Sequence, residues 1–161
     1  MARAIAALHG FVLGGGLELA EACHLRIAAA DARFGHPEIE LAGVAGWGGT
    51  TRLPRLIDRG RALELLLTGR QLTASEALAW GLVNQVVPRE QLVPTVHQWA
   101  ASLTAKAASA LALTLEAVRQ GLEAGEGAAL LLGAKASALA AATDDFRRAT
   151  TAFTRHQGSD G

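Results

Sequence analysis

Three consecutive glycines, Gly14, Gly15 and Gly16, stand between two short apolar runs, and they constrain this chain more than any other feature. The first run is Ile5 to Leu8, closed by Gly10; the second is Leu25 to Ala30. Short apolar runs punctuated by glycine read as buried strands, and the small-residue segment that the glycines open reads as a helix between them. The order is therefore strand, glycine turn, helix, strand. A helix that opens on glycines leaves backbone amides uncovered at the positive end of its dipole, with no side chain to keep a ligand away. The physics ends at an anion-binding turn, and a tight turn with positive φ would use the same residues. The Lys-Ser/Thr ending of a Walker loop and the glycine spacing of a Rossmann fingerprint are both missing.

Downstream, Asp31 to Pro37 is turn-rich, and Gly43 to Gly49 forms a second glycine-dense loop before Arg52 to Ile57. A helical pattern runs from Arg59 to a stop at Gly69, and Thr73-Ala-Ser-Glu76 spells a capping box. Asn84 to Val87 is a short strand candidate. Beyond Pro88, Leu92, Val96, Trp99 and Leu103 recur at helical spacing, as do Leu111, Leu115, Val118 and Leu122. Leu132, Leu139, Phe146 and Phe153 predict a long Ala-rich helix able to pack along a neighbour, with the glycines at 121, 125, 127 and 133 marking a turn before it. The expected organisation is an α/β core over 1–87 and a helical assembly region over 88–161.

Basic and acidic residues balance at 15 each, so no net positive field favours nucleic acid. One cysteine, Cys23, forms no internal disulfide, and no Cys/His spacing matches a zinc site, so no metal is expected. The opening residues are too short for a signal core and no apolar run has membrane-spanning length, so a cytoplasmic protein without a membrane partner is expected. Neutral charge with many Ala and Leu leans towards an oligomer.

Two carboxylates stand out against the glycine turn. Glu18 falls one turn into the helix behind the amides, and Glu38 follows 20 residues later in Phe34-Gly-His-Pro-Glu. Two carboxylates beside an oxyanion site can divide acid and base work. Either one alone is more simply a solvated surface group.

The run from His9 through Gly14-Gly15-Gly16-Leu-Glu18-Leu-Ala to Phe34-Gly-His-Pro-Glu38-Ile resembles the signature of the enoyl-CoA hydratase/isomerase (crotonase) family. Gly43-Val-Ala-Gly-Trp47-Gly-Gly-Thr-Thr-Arg-Leu-Pro-Arg-Leu, Leu67-Thr-Gly-Arg, Ala74-Ser-Glu-Ala, Trp80-Gly-Leu-Val-Asn and Thr143-Asp-Asp-Phe follow as its later landmarks. The resemblance implies a crotonase-like ββα spiral, followed by helices that build trimers, commonly paired into hexamers. It implies an acyl-CoA thioester as substrate, with coenzyme A arriving as part of it and no separate cofactor, and a place in fatty acid metabolism. On the same ground Gly15 contributes one amide of an oxyanion hole, flanked by Gly14 and Gly16. Glu18 activates water for attack at the β-carbon, and Glu38 exchanges the proton at the α-carbon. Both glutamates favour an enoyl-CoA hydratase; the alternatives are an isomerase or related acyl-CoA dehydratase, and a non-catalytic binding or assembly subunit.

Family domains begin upstream of the position of Met1, with strands and a loop that supply the second oxyanion amide and much of the adenine pocket, so the spiral is expected to be incomplete at its N-terminus. His9, His24 and Ala45 stand where Asn, Asp and Pro are usual in the family. His36 reads as a hydrogen-bonded turn residue without a catalytic role. Trp47 is a candidate wall of the acyl site, and Arg155, followed by His156, is a candidate contact for the coenzyme A phosphates.

Overall fold

A computed structural model describes residues 4–157, with side chains described up to position 152. The chain divides into two compact units, Ala2–Ala100 and Ala101–Gly161.

The first unit winds as a repeated strand–strand–helix turn. β1 (Ile5–Leu8) and β2 (Phe11–Leu13) lead into α1 (Gly15–Glu21), and β3 (Leu25–Ala29) and β4 (Arg33–Gly35) repeat the pattern before a 3-10 turn (Pro37–Leu41) and α2 (Gly49–Leu56). Each turn donates one strand to each of two sheets. In the first, β1 lies parallel to β3 with Ile5 opposite Leu25, and β3 lies parallel to β6 (Gln85–Val87). In the second, β2 lies parallel to β4 with Phe11 opposite Arg33, and β4 pairs antiparallel with the two-residue β5 (Leu72–Thr73). Parallel neighbours about twenty residues apart in sequence produce the spiral.

β3 is central in its sheet, and four of its five residues are buried, as a parallel strand covered on both faces requires. One of the four is Arg26, made tolerable there by donation to the carbonyls of Leu82 and Cys23, each at 2.7 Å. The main core joins Leu17 of α1, Phe34 of β4, Leu53 of α2, Leu65 of α3 (Arg59–Thr68) and Leu72 of β5. α3 ends as expected, with Gly69 in the left-handed conformation at its C-cap. The capping box also forms: Thr73 Oγ1 accepts from the Glu76 amide and Glu76 returns to the Thr73 amide, starting α4 (Ala74–Ala79). α5 (Leu92–Thr104) places Leu92, Val96 and Trp99 against Ile27 and Ala29.

Besides the two-residue β5, two strands escaped the sequence reading. Phe11–Leu13 and Arg33–Gly35 are only three residues each, too short for an alternation signal, and pairing with each other defines them.

The second unit holds α6 (Ala108–Gly121), α7 (Glu126–Ala141) and α8 (Asp144–Gln157). The single long helix expected through Leu132, Leu139, Phe146 and Phe153 is two. Thr143 breaks it, because its hydroxyl accepts from the Phe146 amide at 3.2 Å and caps a new helix whose first turn carries Asp144 and Asp145. The Phe153 side chain lies outside the described residues. Gly133 sits inside α7, so the turn is confined to 122–125. Among the described residues no single helix is long and apolar enough to cross a membrane.

Candidate active site

The site grows from the way α1 begins. Gly14 takes φ 51° and ψ −126°, a conformation that a side chain opposes, and its amide donates to the Gly35 carbonyl of β4 at 3.0 Å. Gly15 and Gly16 then form the first helical residues, so their amides belong to the turn in which intrahelical acceptors are lacking. The three glycines have different surroundings. A Cβ on Gly14 would lie 3.0 Å from Glu38 Oε1, one on Gly15 would meet the Trp47 ring at 2.9 Å, and one on Gly16 would touch nothing within 4 Å.

Glu18 points from α1 into the Gly43 to Gly49 loop. Its Oε1 accepts from the amide of Trp47 at 2.7 Å and of Gly49 at 2.9 Å, and the residue is only 4% exposed. Two amides on one oxygen fix the carboxylate's direction. Arg52 of α2 ties the loop down by donating to the Trp47 carbonyl at 2.9 Å. The Trp47 ring itself is 81% exposed and rests over Gly15.

Glu38 lies on the 3-10 turn after β4, half-buried. Its Oε1 faces Gly14 and its Oε2 lies 3.7 Å from His36 Nδ1. His36 is 1% exposed and its Nε2 lies 2.9 Å from Glu21 Oε1, a second buried carboxylate of α1. Burial raises the Glu21 carboxyl above its ordinary range, against the pull of the His36 hydrogen bond. For His36, burial opposes the charge, but the hydrogen bond and charge of Glu21, with Glu38 and Glu18 behind it, hold the proton above the usual imidazole range. Gly49 stands between these groups: a Cβ there would come within 2.8 Å of His36 Cε1 and 3.2 Å of Glu18 Oε1.

Beside Glu38 opens a cavity of about 180 Å³ lined by His36, Ile39, Val44, Leu63, Leu66 and Leu67 among others, almost wholly apolar. A fixed carboxylate, a second carboxylate with one oxygen free of partners, orphan helix amides and a small apolar cavity are thus gathered by α1, β4 and the 43–49 loop. The arrangement can orient a polarised carbonyl and move protons beside it.

Gly14, Gly15, Glu18, Glu38 and Trp47 from the sequence reading fall within this cluster, and Gly16 lies on its exposed rim. Arg155 carries a side chain outside the described residues. Glu21, Gly49 and Arg52 were not singled out in the sequence. Glu21 reads there as one more helical glutamate, and its partner is 15 residues away. Among the described residues no three His, Cys, Asp or Glu side chains gather to hold a metal ion.

Solved structures carry the same fold. An enoyl-CoA hydratase subunit I from Geobacillus kaustophilus superposes with a TM-score of 0.93 at 38% identity, over 96% of this chain and 60% of that one. An enoyl-CoA hydratase from Bacillus anthracis gives 0.92 at 40% identity, over 96% and 60%. The fold is therefore the crotonase α/β spiral with a C-terminal helical region. Sequence comparison narrows the class further, because the profile of the enoyl-CoA hydratase/isomerase family matches residues 2–158. A crotonyl-CoA hydratase from Syntrophomonas wolfei is 44% identical over 149 residues, 92% of this chain and 57% of that protein. A short-chain-enoyl-CoA hydratase from Clostridium acetobutylicum is 40% identical over 157 residues, 98% of this chain and 60% of that protein. The chain belongs to the enoyl-CoA hydratase/isomerase family, and it spans less than two thirds of the length of these relatives.

Proposed function

We propose that this chain is an enoyl-CoA hydratase acting on short 2-enoyl-CoA thioesters. The observation that carries the reading is the clamp on Glu18: a carboxylate fixed by two backbone amides, one turn from the orphan amides of α1, is built to act as a base at one defined place. In this reading the Gly15 amide receives the thioester oxygen, with Gly14 and Gly16 allowing close approach. Glu18 takes a proton from water as the oxygen attacks the β-carbon, and negative charge collects on the carbonyl at Gly15. Glu38 delivers a proton to the α-carbon, giving the 3-hydroxyacyl thioester. The exposed Trp47 ring over Gly15 serves as a wall for the acyl group, and the apolar cavity beside Glu38 is a second candidate surface for it. The names of the two hydratase relatives support the same substrate class.

Coenzyme A arrives with the substrate, and the chemistry asks for no separate cofactor. We place the reaction in fatty acid metabolism and the protein in the cytoplasm, where the lone Cys23 fits. Exposed Val118, Leu122, Leu130 and Leu131 in the helical region support assembly as a homotrimer or hexamer. Incubation with trans-2-butenoyl-CoA tests the reading. Loss of the conjugated thioester absorbance with formation of 3-hydroxybutanoyl-CoA is expected. A folded chain that consumes none, or that yields only a shifted double bond, overturns it.

A further inference from the structure

α1 carries a carboxylate that the proposed hydration leaves without a task. Glu21 lies one turn beyond Glu18, its side chain fully covered, and it meets His36 across 2.9 Å. Such a pair is a poor way to fill a core, since apolar side chains of the same size serve stability as well or better. Three atoms around it are buried without a hydrogen-bond partner: Glu21 Oε2, His36 Nδ1 and Glu38 Oε2. The last two face one another at 3.7 Å, too long for a hydrogen bond and close enough for a small movement to make one. For these two atoms the unpaired state is a standing penalty that the contact would remove.

We propose that His36, anchored by Glu21, is a positioning residue for Glu38: its Nδ1–H holds Glu38 Oε2 and leaves Oε1, the oxygen beside Gly14, to handle the substrate proton. The role of Glu38 in this statement rests on the hydration reading above. The chain of contacts has a direction set by the backbone. Glu21 is fixed on the buried side of α1, His36 directly follows β4 as the N-cap of the 3-10 turn, and Glu38 comes two residues later on that turn, so a rigid helix is linked to a more exposed carboxylate through one ring. Gly49 lies on another side of the ring, where an added Cβ would come within 2.8 Å of His36 Cε1.

Donation at both ring nitrogens requires the imidazolium form. The groups acting on it are Glu21 and Glu18 from α1 and Glu38 from the 3-10 turn, while Arg52 of α2 acts on Glu21. The 43–49 loop has no ionisable side chain, and α3 presents only Leu63, Leu66 and Leu67 to the adjoining cavity. Negative neighbours therefore dominate, and they retain the His36 proton above the ordinary imidazole range against the effect of burial. As pH rises and that proton leaves, one of the two donors is lost.

Two measurements on the full chain test this. The first follows the His36 ring by nitrogen–proton NMR as pH is varied, with H36Q to assign the signal. His36 should titrate above free imidazole in the wild type, and both E21Q and E38Q should lower it. A His36 titration that E38Q leaves in place overturns the link to Glu38, whether or not the chain turns over substrate. E38Q changes a half-buried group, so this arm survives if H36Q fails to fold and the signal is assigned by elimination among the other histidine variants. The second is the pH profile of kcat for trans-2-butenoyl-CoA. The alkaline limb should move down in E21Q and vanish in H36Q, with kcat lower by roughly tenfold, as loss of a hydrogen bond to a charged group implies, and KM little changed. Wild-type turnover with an unaltered limb in H36Q overturns the positioning role alone. Absence of wild-type turnover overturns the hydration reading alone, and the NMR arm then decides the contact by itself.

Discussion

The Trp47 amide donates to Glu18 Oε1 at 2.7 Å, joining residues 29 apart in sequence. Trp47 thus serves the site through its backbone as well as its ring, and the loop's glycines allow that backbone to reach the carboxylate. Glu18→Asp shortens the side chain by one methylene and withdraws it from both the Trp47 and Gly49 amides, whereas Glu18→Gln keeps an acceptor oxygen and removes the base. Both variants should fold, and both should lose about 10²- to 10⁴-fold in kcat for trans-2-butenoyl-CoA, the usual contribution of a positioned base. Circular dichroism and initial rates check this.

Gly14 and Gly16 should respond in opposite ways to alanine. Gly14→Ala puts a side chain on a residue at φ 51° and drives its Cβ to 3.0 Å from Glu38 Oε1. Strain of that kind costs about 1–3 kcal/mol, and the displaced Glu38 should lower kcat as well. Gly16→Ala meets nothing within 4 Å, so its fold should hold or gain about 0.4–1 kcal/mol from the stiffer unfolded chain. Urea unfolding of the two variants separates them. A rise in KM for Gly16→Ala alone would identify Gly16 as a surface the substrate covers.

Which of these features the sequence displays follows from the range over which each is determined. The Thr73 capping box and the Gly69 stop are legible because each is decided within four or five residues. Glu18 and Glu38 are legible only through the resemblance, since nothing in their spacing says that a helix and a 3-10 turn meet. Glu21 is silent for the same reason without the resemblance to help: its partner His36 arrives through the β2–β4 pairing that brings Gly14 and Gly35 together. The break at Thr143 hides for a different reason. Apolar residues seven apart continue across it, so the stripe reports a common period and misses that one hydroxyl starts a second helix.

Gly49 is enclosed by buried side chains of the site. An added Cβ would come within 2.8 Å of both the Ala45 Cβ and His36 Cε1, and none of the three can retreat, because Ala45 and His36 are buried and the Gly49 amide is committed to Glu18. Gly49→Ala should therefore lower stability by about 1–3 kcal/mol, the typical result of overfilling a packed region. It should also weaken turnover by shifting the Glu18 clamp. Unfolding midpoints and rates measured on the same preparation check both effects.

The Glu21–His36 pair also fixes the sign of the pH dependence of stability. Burial raises the Glu21 carboxyl above its ordinary 4.5, so the folded chain binds that proton more tightly than the unfolded one, and stability falls as pH rises from 4.5 through the folded value. His36 is also raised, because Glu21, Glu38 and Glu18 outweigh the burial that acts against its charge. Its contribution is complete below the unfolded value of 6.5 and is lost as pH climbs through the folded one. Both slopes have the same sign, in contrast to a fold held by exposed ion pairs of depressed carboxylates, which weakens as pH falls. The urea midpoint should therefore decline from mildly acidic to alkaline pH. Glu21→Gln removes the first group and the main support of the second, so its midpoint should be flatter across the same range, lying below the wild type at neutral pH and approaching it at alkaline pH. A wild-type midpoint that does not decline above 6.5 would mean that His36 folds without its second proton, and would leave one ring N–H to serve either Glu21 or Glu38 Oε2, but not both.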